Sequence, residues 1–195
     1  MHIWEKIRIF AGSMKKLMLI LLCFSALFLG CSRAPVPRPY GYYRIAIPDT
    51  AYLPYRSGDF QFDLSKNAVI QYVEEGITVH YPTLNADIHC TYKPVRNNLK
   101  ELTDDALEFV YKHVNKASAI PEKSFANDEK HVWGVFFELE GNTASPYQFF
   151  VTDSTHHFFR GASYCYCQPN ADSLAPILDY LKVDMIHMVE TFEWK

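Results

Sequence analysis

The sequence predicts an α+β fold, a mainly antiparallel β-sheet with two packed amphipathic helices. Two observations carry this. Residues 98–117 and 173–193 repeat apolar side chains at three- and four-residue spacing. Before and between them the chain breaks into short runs rich in aromatic and β-branched residues, so that strands, a helix, three strands and a final helix follow in order.

The elements are preceded by a segment of different character. Residues 1–31 hold Lys6, Arg8, Lys15 and Lys16 against Glu5 alone and carry +3, whereas the remaining 164 residues carry −6. After Lys16 come 14 uncharged residues, Leu17 to Gly30, a run of about 21 Å as a helix. Crossing a bilayer core takes about 20 apolar residues, so residues 1–30 read as a secretory signal peptide. Gly30-Cys31 then places a thiol at the first position of the mature chain, the arrangement of a bacterial lipobox, with Phe28-Leu29 where Leu and a small residue are usual. Cys31 is the expected site of lipidation by palmitate-type acyl chains, because stable anchoring takes more than one chain and such a cysteine carries two or three. Prolines at 35, 37 and 39 make residues 31–40 an extended tether.

A single domain is expected over 41–195. Its first strands are Tyr42–Ile47, Phe60–Leu64, Val69–Val73, Ile77–Tyr81 and Ala86–Tyr92. Asn98-x-x-Glu101 suits a capping box for the helix over 98–117, whose stripe is Leu99, Leu102, Ala106, Phe109, Val110, His113 and Val114. Three strands, Val132–Leu139, Tyr147–Thr152 and His157–Cys167, lie a short turn apart and should form an antiparallel meander. The last helix, 173–193, takes Pro176 in its first turn and presents Leu174, Leu178, Leu181, Met185, Met188 and Phe192. This order is similar to that of PsbP-like domains.

The residue types of a hydrolase occur in Asp153-Ser154-Thr155-His156-His157. The same types also make a hairpin turn, and no Gly-x-Ser-x-Gly elbow is present. No Cys or His pair has zinc-ligand spacing, so no metal site is expected. Cys90, Cys165 and Cys167 leave two outcomes open: a disulfide from Cys90 to Cys165 or Cys167, or three buried thiols. Gly-rich phosphate loops are absent and the mature charge is −6, which argues against a nucleic-acid surface.

Several segments resemble a known family. They are Pro39-Tyr40-Gly41-Tyr42-Tyr43-Arg44-Ile45, Cys90-Thr91-Tyr92-Lys93-Pro94 with Asn97-Asn98-Leu99, and Gly141-Asn142-Thr143-Ala144-Ser145 with Gln148-Phe149. Further along come Thr152-Asp153-Ser154-Thr155 with His157-Phe158 and Arg160-Gly161-Ala162, then Pro169 to Pro176, and Glu190-Thr191-Phe192-Glu193-Trp194-Lys195. On these residues the chain is similar to the gliding motility lipoproteins GldD of the Bacteroidota. Residues 49–75 match least, and Cys165 and Cys167 stand where the family usually has other residues.

The resemblance implies a cell-envelope lipoprotein needed for surface gliding, a motility coupled to type IX secretion. It brings no enzymatic activity, catalytic residue or cofactor. The expected role is that of a non-catalytic accessory or assembly component, anchored in the membrane through Cys31 and binding other envelope proteins of the gliding and secretion apparatus. Asn142, Thr143, Ser145, Thr152, Asp153, Ser154 and Arg160 are the candidate contact surface, with turn chemistry as the competing reading of the two loops. The alternative function is a periplasmic hydrolase acting on envelope material through Ser154 or Ser145 with His157. Ser32-Arg33-Ala34 lacks the acidic residues of a surface-export tag, so the domain is expected to face the periplasm, from either membrane.

Met14-Lys15-Lys16 is a more conventional signal start than Met1, whose first residues include Trp4-Glu5 and Gly12. Mass spectrometry of the unprocessed precursor should therefore find its N-terminus at Met14, and peptides from His2–Ser13 would count against this.

Overall fold

In the computed structural model the described residues are 51–112, 115–166 and 171–195, all belonging to one compact unit that spans Tyr40–Lys195. The signal, Cys31, the tether, the expected strand Tyr42–Ile47, His113, Val114 and Cys167 lie outside them.

The organising element is a seven-stranded sheet in which every pairing is antiparallel, in agreement with the α+β expectation. Its strands are β3 (Val69–Val73), β4 (Gly76–Tyr81), β5 (Ala86–Pro94), β7 (Glu122–Asn127), β8 (Val132–Glu138), β10 (Tyr147–Thr152) and β11 (His157–Cys165), ordered β3-β4-β5-β11-β10-β8-β7. A second sheet joins β1 (Tyr52–Arg56), β2 (Phe60–Ser65) and β12 (Glu193–Trp194), and β6 (Ala117–Ala119) pairs with β9 (Glu140–Gly141).

Side chains alternate across a strand, and here both faces of the large sheet are covered. One face presents Phe149, Val151 and Phe159 to helix α2 (Ala171–Glu190) and to Phe60 and Phe62 of β2. The opposite face presents Phe137, Phe150 and Phe158 to Leu102, Ala106 and Val110 of helix α1 (Leu99–Tyr111). The expected meander forms as β8-β10-β11. Its two apolar rows go to different helices: Val135 and Phe137 toward α1, Tyr147, Phe149 and Val151 toward α2.

Both helices differ from the sequence expectation at their ends. Asn98 precedes α1 without a side-chain cap, because its Oδ1 accepts from the Arg96 N–H at 2.8 Å, so the capping box does not form. The helix stops at Tyr111 rather than 117. Ala117–Ala119 pairs instead with Glu140–Gly141, a ladder that outcompetes a last helical turn containing the weak helix formers Asn115 and Ser118. Gly141 there has φ +107°, where a side chain would be strained.

Helix α2 begins at Ala171, which places Pro176 beyond the first turn, and it ends at Glu190 rather than 193. Thr191 closes it: its hydroxyl donates to the His187 carbonyl at 2.7 Å and accepts from the Asp63 N–H at 3.0 Å. Phe192 then drops into the core, and Glu193–Trp194 pairs with Gln61 and Phe60.

Phe159 is fully buried, with ring centroids of Phe60 and Phe192 at 4.7 and 5.1 Å. Truncating it leaves a cavity that three elements share. Urea denaturation of Phe159→Ala should show a loss of about 3–5 kcal/mol, whereas Val183→Ala on the exposed side of α2 should stay within about 0.5 kcal/mol.

Candidate functional site

A surface cleft of about 910 Å³ is bounded by three segments. The turn from β7 to β8 supplies Glu129, Lys130 and His131, and the start of β8 supplies Trp133. The turn from β10 to β11 supplies Asp153, Ser154, Thr155 and His157, and the chain end supplies Glu193, Trp194 and Lys195.

Each wall is held by local chemistry. The Trp133 indole N–H donates to Asp128 Oδ1 at 3.0 Å, and that of Trp194 donates to the His131 carbonyl at 3.1 Å. His131 itself has φ +51°, which turns its carbonyl toward the chain end. Lys130 pairs with Glu193 at 2.7 Å, and with Gln61 it holds the Glu193 carboxyl below its ordinary pKa. The His157 ring stacks on Trp194, with centroids 5.0 Å apart and planes 16° apart, and its Nδ1 lies 2.8 Å from the Tyr92 hydroxyl.

The β10–β11 turn is built around Asp153. Its Oδ1 accepts from the backbone N–H groups of Thr155, His156 and His157 at 3.0, 2.8 and 2.7 Å, and its Oδ2 accepts from the Thr155 hydroxyl at 3.0 Å. The Thr152 hydroxyl donates to the His157 carbonyl at 2.7 Å and accepts from the Ser154 N–H at 2.9 Å. Ser154 sits at φ +68°, the left-handed conformation this closed turn requires. Burial raises the Asp153 pKa, but the three backbone donors outweigh it and bring the carboxyl down to about 2.

Asp153 is committed to the turn and His157 Nδ1 to Tyr92, so neither side chain orients the other as a triad would. Ser145 is fully buried at the far end of β10. The six-residue strand separates it from the turn by on the order of 20 Å. Ser145 therefore does not converge with His157, whereas Ser154 and His157 both line the cleft.

The seven residues expected to form one contact surface occupy three places. Thr152, Asp153 and Ser154 are at the cleft end of β10, though Thr152 is buried under its turn bonds. Asn142, Thr143 and Ser145 lie at the opposite end. Of these, Thr143 is buried with its hydroxyl on the Leu139 carbonyl at 3.2 Å, and Ser145 is buried, so neither is a surface group. Arg160 points to the α1 face, where its guanidinium lies 4.0 Å from the Phe109 ring centroid.

The Cys90–Cys165 pairing is also corrected. Along the β5–β11 ladder Cys90 faces Gly161 and Cys165 faces Ala86. Four residues of strand, about 13 Å, separate them, against the roughly 7 Å limit between Cα atoms for a disulfide. Cys90 remains a buried thiol whose pKa burial pushes up.

Reading the sequence alone missed Trp133, Lys130, His131 and Trp194 as cleft walls. A signal was present for the last: two segments that carry the family resemblance, Thr152 to His157 and Glu190 to Lys195, meet at this cleft.

Fold and site together define an antiparallel α+β domain carrying a two-tryptophan surface cleft. The chain belongs to the gliding motility lipoprotein GldD family, whose model matches residues 32–194. Membership of that family makes it a membrane-anchored lipoprotein of the cell envelope. Comparison with curated proteins returns no match.

The depressed Asp153 pKa has a definite sign. The folded carboxyl ionises near pH 2 against an ordinary 3.8, so its stabilisation is present above about pH 4 and is lost as pH falls toward 2. The difference is worth about 2 kcal/mol. Unfolding free energies from urea titrations between pH 5 and pH 2 should fall by that much more in the unaltered protein than in Asp153→Asn, and parallel pH profiles would contradict the assignment.

Proposed function

We propose that the protein acts as a non-catalytic accessory or assembly component of the gliding and type IX secretion machinery. It is held by acylated Cys31, faces the periplasm, and engages another envelope protein through the Trp133–Trp194 cleft. The observation that carries this reading is the meeting of two family-resembling segments at one open surface, where indole and imidazole rings line a rim of charged groups. Partly exposed tryptophans of this kind combine large contact area with a fixed hydrogen bond, the combination that protein interfaces favour. The Asp153 carboxylate of the turn is taken up by backbone donors, and His157 Nδ1 lies against the Tyr92 hydroxyl.

The anchor and the cleft are tested separately. Fatty-acid labelling in cells should disappear in Cys31→Ser, and undiminished labelling would refute the anchor. A photocrosslinking side chain at Thr155, exposed at the cleft, should trap an envelope protein in gliding cells. The same group at Glu108, exposed on α1, should not; equal capture at both positions, or none at Thr155, would overturn the cleft as the contact surface.

A further inference from the structure

A second cleft, of about 190 Å³, lies between α1 and the face of the sheet below it, away from the Trp133–Trp194 site. Arg160 of β11 stands opposite Thr91 of β5, and Lys93 follows two residues on, so the three project from one face of adjacent strands. All three line this cleft together with Phe109 of α1.

Arg160 is half-buried and desolvated there. The Phe109 ring covers one side of its guanidinium at 4.0 Å. Among the described residues no carboxylate comes within ion-pair distance of it and no side-chain or backbone oxygen accepts from its N–H groups; Asp105 acts on it only through its charge. A ring face satisfies the cation above its plane, but the five N–H donors lie in that plane and require acceptors. The Arg160 nitrogens are not sealed from solvent, so water meets these donors in the free protein, and an oxyanion that displaces it would make charge-assisted hydrogen bonds.

We propose that this cleft binds a small phosphate-type oxyanion, free or as a lipid headgroup, on Arg160, with Thr91 and Lys93 completing the donor set. A tetrahedral ion suits donors arriving from three side chains on two strands, whereas a flat carboxylate would use the Arg160 fork alone. Glu75, 3.9 Å from Lys93, and Asp105 also line the cleft and offset the two cations. The balance favours a single small anion over a polyanion.

The proposal is independent of the protein contact assigned to the other cleft. Its test is calorimetric titration of the full chain in detergent micelles with inorganic phosphate, ionic strength being held with sodium chloride. Saturable binding is expected, weakened at least tenfold in Arg160→Gln and unchanged in Arg96→Gln, an exposed arginine outside the cleft. Non-saturable heats, or equal affinity in Arg160→Gln, would overturn it. Should Arg160→Gln fail to fold, the exposed Lys93→Gln must weaken phosphate by a factor of two or more, and unchanged affinity would overturn it equally. Glycerophosphoglycerol binding tighter than phosphate identifies a lipid headgroup as the source, and weaker binding identifies the free ion; each supports the site.

Discussion

Phe158 and Phe159 are neighbours in the chain, and β11 sends their rings in opposite directions, the first into the core under α1 and the second into the core under α2. Both are buried. This alternation fixes the molecule, because a one-residue slip of β11 would exchange the faces and strip both helices of their partners. The Asp153 turn enforces the register: with three backbone donors on one carboxylate oxygen, β10 and β11 pair Thr152 with Phe158 and Phe149 with Gly161. The Gly161 position leaves no room for a Cβ, which would lie 2.4 Å from the Phe149 ring. Turn and glycine thus settle where two separate cores form.

The same alternation builds the large cleft. Phe192 packs against Phe159 and Phe60 and so pins the chain end beside β2. Trp194, two residues on, is carried to the histidine that begins β11. The Trp133–Trp194 cleft therefore depends on core packing as much as on its own hydrogen bonds, and the turn that sets the register is also one of its walls.

How much of this the residues announced depends on burial. Tyr147–Thr152 was legible to the residue, and Phe60–Ser65, Gly76–Tyr81, Ala86–Pro94 and Val132–Glu138 nearly so, because aromatic and β-branched side chains there pack on at least one face; Val69–Val73, an edge strand with four exposed side chains, was legible to the residue from its β-branched and aromatic composition. Tyr52–Arg56 and Glu122–Asn127 were illegible for the opposite reason. They are edge strands with mostly exposed side chains, one interrupted by Pro54 and the other rich in polar residues, and their pairing is a backbone matter that leaves little trace in composition. The helix ends were misread where tertiary contacts overruled spacing, at Ala117–Ala119 and again after Glu190. For the site, the polar residues of the two loops were visible, but their division among cleft, opposite sheet end and α1 face follows from strand length and alternation acting over long sequence separations. Trp194 reaches His131 across 63 residues, a distance no local pattern records.

Tyr52 opens the first described strand. Its hydroxyl donates to Asp184 of α2 at 2.7 Å, and its ring stacks on His187 with centroids 3.8 Å apart. Tyr81 of the large sheet donates to the other oxygen of the same buried carboxylate at 3.0 Å. A mechanical pull delivered through the chain upstream of Ala51 would thus meet, at the first residue of β1, a link that passes the load sideways into α2 and through Asp184 to the seven-stranded sheet. Peeling β1 from β2 would require breaking that side-chain clasp together with the ladder. Resistance to a pull from the N-terminal side would lie in this Tyr52–Asp184–Tyr81 joint rather than in the edge strand it secures.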